Sequence, residues 1–141
     1  MKNLFVAVIA IIALNCNAIE LNNRLLNAIC NVESNGKSNA IGDNGKAVGA
    51  YQIHKKYVND VNRICKIKGF KTRFAYADRY NSHKSRIMTA IYLDFYGKVY
   101  EKKQGKIATA EILAKIHNGG PNGWKKQATE KYWIKVEKRL K

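Results

Sequence analysis

Glu33 is the side chain of this sequence whose surroundings best suit a proton donor. Leu26 precedes it by seven residues, Ile29 by four and Cys30 by three, so these and Leu25 share its face of a predicted helix. An ionised carboxylate on an apolar face loses hydration, which favours the protonated form and a group able to act as a general acid. The competing reading is a glutamate that merely ends its helix in solvent beside Gly36. The one other carboxylate close by in sequence, Asp43, sits in Gly42-Asp43-Asn44-Gly45, where turn formation alone explains it. It stays as a candidate secondary carboxylate.

The elements that must hold these groups are mostly helical. Asn22 or Asn23 caps a first helix through Leu25, Leu26, Ile29 and Val32, which stops by Gly36. The Gly-Asp-Asn-Gly stretch between Asn39-Ala40-Ile41 and Ala47-Val48-Gly49-Ala50 tolerates positive φ and predicts a short β-hairpin. A second helix runs from about Lys55 through Tyr57, Val58, Val61, Ile64 and Cys65 to Gly69, and the segment from Phe70 to Asn81 is aromatic and irregular. Ser82 is expected to cap a third helix carrying Ile87, Met88, Ile91 and Phe95, closed by Gly97 and followed by a lysine-rich connection. Ile112, Leu113 and Ile116 mark a fourth, which Asn118-Gly119-Gly120-Pro121 terminates. The last, near Ala128 to Leu140, buries Tyr132, Trp133, Val136 and Leu140. The expected fold is mainly α, with about five helices and one small hairpin after the first helix.

Composition agrees with one globular domain: 141 residues, 46% apolar, 10% aromatic and a single proline. Lys2, an apolar run from Leu4 to Leu14, and Asn15-Cys16-Asn17-Ala18 read as a signal peptide cleaved after Ala18, so residues 1–18 are a leader and 19–141 the domain. An uncleaved anchor is the alternative, and Leu14-Asn15 argues against a lipid-modified Cys16. Export leaves Cys30 and Cys65 in an oxidising compartment, where they could form one disulfide or remain two buried thiols. No C-x-x-C pair is present and His54, His83 and His117 are scattered, so no metal site is expected.

The formal charge is +16, and losing Lys2 with the leader leaves 25 basic against 10 acidic residues, or +15. Such a chain seeks anionic surfaces, unless the charge serves solubility alone. Anionic envelope polymers are the expected partners. Nucleic acid is not, because no recognisable module interleaves aromatics with Lys and Arg.

Taken together, Glu33-Ser34, then Gly49-Ala50-Tyr51-Gln52-Ile53, then Ile116-His117-Asn118-Gly119-Gly120, with Tyr132-Trp133 in the last helix, resemble the SLT-type lytic transglycosylases of the lysozyme-like superfamily. The resemblance spans nearly the whole exported part and implies a lysozyme-like α+β fold. It makes Glu33 the sole catalytic acid/base, Ser34 a polar neighbour of substrate or acid, Gln52 a cleft residue, Asn118 a hydrogen-bonder to the N-acetyl groups, and Tyr132 a contact of the acid. Two departures alter the pocket walls. Ala50-Tyr51 stands where that family has Leu-Met, making Tyr51 either a sugar-stacking ring or a core residue; Ile116-His117 replaces Ala-Tyr, placing His117 on the substrate-binding wall.

The implied function is secreted cleavage of the MurNAc-GlcNAc β-1,4 bond of peptidoglycan. With one carboxylate, the substrate's own 2-acetamido group would assist and Glu33 would then deprotonate the 6-hydroxyl, leaving 1,6-anhydro ends without a cofactor. The alternative is a lysozyme-type hydrolase in which Asp43 positions water. From another class comes a non-catalytic basic wall-binding or antimicrobial protein. A monomer is expected; service to secretion, conjugation or phage machinery is equally compatible.

Overall fold

The computed structural model describes residues 22–140, so the expected leader lies outside the described residues. Helix α1 covers 22–34 and buries Leu25, Leu26, Ala28 and Ile29. It stops because Asn35 (φ 56°) and Gly36 (φ 80°) turn left-handed, with the Gly36 N–H returning to the Cys30 carbonyl at 3.4 Å. Strands β1 (Ile41–Gly42) and β2 (Ala47–Val48) then pair antiparallel, Ile41 opposite Val48 and Gly42 opposite Ala47. Asp43 and Asn44 both adopt positive φ at the tip, the conformation that short Asx side chains tolerate.

Helix α2 (Lys55–Ile67) buries Val58, Val61, Ile64 and Cys65, the stripe expected from its spacing. In the aromatic stretch a 3-10 turn, Tyr76–Tyr80, carries the buried Arg79. Helix α3 (Ser82–Gln104) packs against both α2 and α4 (Ala110–Gly119), and α4 packs against α5 (Glu130–Glu137). The result is five α-helices with one small two-stranded sheet among the described residues. No described helix is long and apolar enough to cross a membrane.

Three sequence expectations need correction. The cap of α3 is Asn81, whose side chain accepts the Lys84 N–H, rather than Ser82. Gly97 does not close α3, which continues through the lysine-rich stretch to Gln104 before Gly105 turns left-handed (φ 64°). Gly97 instead lets α4 approach, since a Cβ there would lie 2.9 Å from Leu113 Cδ2. On α5, Tyr132 and Val136 are buried and Trp133 only partly so, while Leu140, also partly buried, lies beyond the end of the helix.

Candidate active site

The break after α1 leaves Glu33 in the last helical turn, its side chain 17% exposed, at the wall of a cleft of about 660 Å³. Helices α2 and α4 supply Tyr57 and His117, while the hairpin and the turn after it supply Asp43, Gln52 and His54. The Tyr132 hydroxyl, on α5, donates to Glu33 Oε1 at 2.7 Å. His117 Nε2 lies 3.4 Å from the same oxygen, and its imidazole is 4% exposed. On the far side of that ring, Nδ1 stands 3.3 Å from the Tyr57 hydroxyl. Tyr57 in turn stacks on Tyr92, with centroids 3.9 Å apart.

Burial pushes the Tyr132 phenol well above its ordinary range, and the neighbouring Glu33 charge pushes it further. Burial does the same for Tyr57, reinforced by Tyr92. Both therefore keep their protons and remain donors. The Tyr57 hydroxyl and His117 Nδ1 share a hydrogen bond whose donor depends on the imidazole tautomer; in the tautomer where the phenol donates, the ring hydrogen sits on Nε2 and faces Glu33. Both contacts fall on Oε1, so among the described residues Oε2 is left without a protein partner.

Asp43 projects from the hairpin tip onto the same cleft, 3.2 Å from His54 Nε2, with its side chain about half exposed. The position of the hairpin is fixed from behind by Arg79. Its guanidinium donates to the carbonyls of Lys46 at 3.2 Å and Ile53 at 3.0 Å, while Nε donates to the Tyr76 carbonyl at 2.8 Å. A buried cation with its hydrogens used this way is a rigid clamp.

Glu33, Asp43, Gln52, His117 and Asn118 thus line one cleft, with Tyr132 behind Glu33. Asn118 is exposed there. Gln52 contributes to the wall, but its amide is committed to the Gly49 carbonyl at 2.9 Å and the Ala40 carbonyl at 3.3 Å. Ser34 is not among the residues lining the cleft; its hydroxyl ties α1 to the Ala50 carbonyl at 2.8 Å. Tyr51 is a core residue, 2% exposed, whose hydroxyl accepts from Arg86 at 3.1 Å; it has no face to offer a sugar. Cys30 and Cys65 are free thiols, raised above the ordinary thiol range by burial, so the disulfide alternative is set aside.

The spacing argument missed Tyr57, His54, Asp60 and Tyr92 as cleft residues. Tyr57 and Asp60 stand three apart on α2, and Asp60 accepts from the Tyr96 hydroxyl at 2.5 Å, four residues along α3 from Tyr92. A stripe of tyrosines facing a carboxylate was the available signal, and it read equally well as core.

Matching the chain to family models settles the wider identity: the Destabilase model matches residues 22–139. The chain belongs to the Destabilase family. Relatives of this Destabilase chain include a lysozyme of Ostrea edulis, 30% identical over 97% of this chain and 94% of the relative, and invertebrate-type lysozyme 6 of Caenorhabditis elegans, 32% identical over 77% and 79%. A chain in the crystal structure of Aeromonas hydrophila PliI in complex with Meretrix lusoria lysozyme superimposes with a TM-score of 0.64 at 29% identity, covering 82% of this chain and 87% of that one. The lysozyme-like fold therefore stands, whereas the assignment to SLT-type lytic transglycosylases does not, and with it fall the lyase class and the anhydro product. The motifs behind that assignment were short and local. At the two departures from that pattern, Tyr51 faces the core and His117 packs against Glu33.

Proposed function

We propose that the protein is an exported, lysozyme-type glycoside hydrolase that cleaves the MurNAc-GlcNAc β-1,4 bond of peptidoglycan. The observation that carries this reading is the seating of Glu33, anchored through Oε1 by Tyr132 and flanked by His117 at the wall of an open cleft. Kinship with relatives named lysozyme supports it. Glu33 Oε2, which no described residue contacts, bears the proton and delivers it to the leaving glycosidic oxygen. Asp43, on the hairpin clamped by Arg79, offers negative charge to the oxocarbenium-like transition state and positions the water that adds to the anomeric carbon. The leaving oxygen takes the proton of Glu33 as its bond breaks, water gives a proton to Asp43 as its oxygen bonds to the anomeric carbon, and one molecule of water is thereby divided between the two products. Anionic envelope polymers would keep so basic a protein near its substrate.

Clearing of purified cell walls by wild type and by Glu33→Gln tests the reading. The expected loss is about 10²–10⁴-fold, the usual contribution of a positioned general acid. Mass spectrometry of the digest should show reducing ends. Clearing retained in Glu33→Gln would point to disruption by charge and end the proposal.

A further inference from the structure

Between Val61 and Ala77 the sequence holds five basic residues and no acidic one. Within this stretch the end of α2 turns through Gly69, with the Phe70 N–H bonded to the Cys65 carbonyl at 2.8 Å and the Gly69 N–H to the Lys66 carbonyl at 3.2 Å. In this kind of helix end the apolar residue after the glycine ordinarily folds back over the last turn. Here it does not: Phe70 is 52% exposed and Ile67, three residues earlier, 60%. Around this pair Lys66, Lys71 and Arg73 are exposed, and among the described residues none lies within ion-pair distance of a carboxylate. Arg63 and Lys68 are the basic residues already paired, with Asp60 and Asp94.

Other exposed apolar side chains lack this setting. Ile107 and Ile134 also have exposed lysines beside them, Lys106 for the one and Lys131 and Lys135 for the other, but each stands singly, without a second large exposed apolar side chain close in sequence. At residues 66–73, two large apolar groups are ringed by unpaired cations on a hydrogen-bonded turn. A phospholipid interface satisfies both halves of that arrangement, since ring and aliphatic chain enter the acyl boundary while Lys and Arg stay among the phosphates. A phosphate polymer without acyl chains would satisfy only the cations. On α2 the cleft lining ends at Asp60, seven residues or about 10 Å of helix before Ile67.

We propose that residues 66–73 are an interfacial anchor through which the protein binds anionic phospholipid bilayers. The anchor is separate from the cleft and does not depend on the reaction performed there. Each basic residue near an anionic surface is worth roughly fivefold in affinity, and withdrawing the two apolar groups should cost about tenfold or more. The probe is co-sedimentation with vesicles of phosphatidylglycerol and phosphatidylcholine in equal parts, against phosphatidylcholine alone. Wild type should bind the mixed vesicles, and Ile67→Ser with Phe70→Ser should lose about tenfold while clearing cell walls at the wild-type rate. Lys131→Gln with Lys135→Gln, on α5, should bind within a few-fold of wild type, as expected if the site is local. In Phe70→Trp, emission should shift to the blue on adding mixed vesicles, beyond any shift in wild type. Unchanged binding by the Ile67/Phe70 variant, or an α5 variant that loses as much, would mean that diffuse charge is the attraction and overturn the anchor. So would a Phe70→Trp spectrum that does not move, or tighter retention on a lipid-free teichoic polymer than on the vesicles.

Discussion

The Tyr132 hydroxyl donates to Glu33 Oε1 at 2.7 Å across 99 residues of sequence, joining the last helix to the end of the first. Because burial is the main cause that holds the phenol in its protonated form, this donor does not depend on the charge of Glu33. It fixes the orientation of one carboxylate oxygen and leaves the other for substrate. Tyr132→Phe keeps the buried ring and removes only the donor. Steady-state kinetics on soluble glycan should show kcat lower by about tenfold or more with KM nearly unchanged, the signature of an interaction that serves the acid rather than substrate binding. A change confined to KM would contradict that role.

Asp43 separates two chemistries. If it supports water attack, Asp43→Ala should lower activity about as far as Glu33→Gln does, without moving the melting temperature by more than a few degrees, since the side chain is half exposed and sits on a turn. Near-wild-type turnover in Asp43→Ala, measured by reducing-end release, would remove this residue from the mechanism and leave Glu33 acting without a second carboxylate.

Alkaline pH should unfold the protein through its buried phenols. Tyr57, Tyr132 and Tyr92 are all pushed upward, chiefly by burial. The folded state thus holds these protons more tightly than the unfolded chain, whose phenols ionise near pH ~10. Their contribution is complete below that pH and is lost as pH rises above it. Denaturant melts between pH ~8 and ~11 should therefore show stability falling along the alkaline limb, and Tyr57→Phe should flatten it. Absorbance titration should find several of the eight tyrosines silent until unfolding. Ionisation of all eight before any loss of structure would contradict the burial.

How much of this was legible in the sequence depended on whether the cause was local. The α2 stripe of Val58, Val61, Ile64 and Cys65 is periodic and was readable, and the Gly-Asp-Asn-Gly tip announced a hairpin with positive φ. The end of α3 was misread because Gly97 serves a neighbouring helix, a tertiary cause that looks like a stop signal in one dimension. Glu33 stood out through its helical face, but its tie to Tyr132 came only from family resemblance, since no periodicity links residues so far apart. Tyr51 was undecidable because an aromatic beside a glycine turn reads alike as cleft or core; Arg86, reaching over from α3, decides it. The family itself was misassigned because a glutamate closing a helix before a hairpin is common ground for this architecture, and the residues that differ are few.

Two glycine substitutions should part company, and the sign of each follows from what a methyl group would meet. At Gly49 (φ 81°) a Cβ would lie 1.9 Å from the Arg79 carbonyl oxygen, which the buried Ser85 hydroxyl holds at 2.8 Å. Backbone cannot step aside, and the left-handed conformation adds strain, so Gly49→Ala should cost about 2 kcal/mol or more and loosen the loop that carries Asp43. At Gly97 the contact is Leu113 Cδ2 at 2.9 Å, the tip of a side chain that can rotate, and an alanine inside α3 recovers up to about 1 kcal/mol of helix propensity. Gly97→Ala should therefore lie within about 1 kcal/mol of wild type in urea denaturation. Equal losses at both sites would mean that Leu113 cannot turn aside and that the α3–α4 contact is as unyielding as the backbone around Gly49.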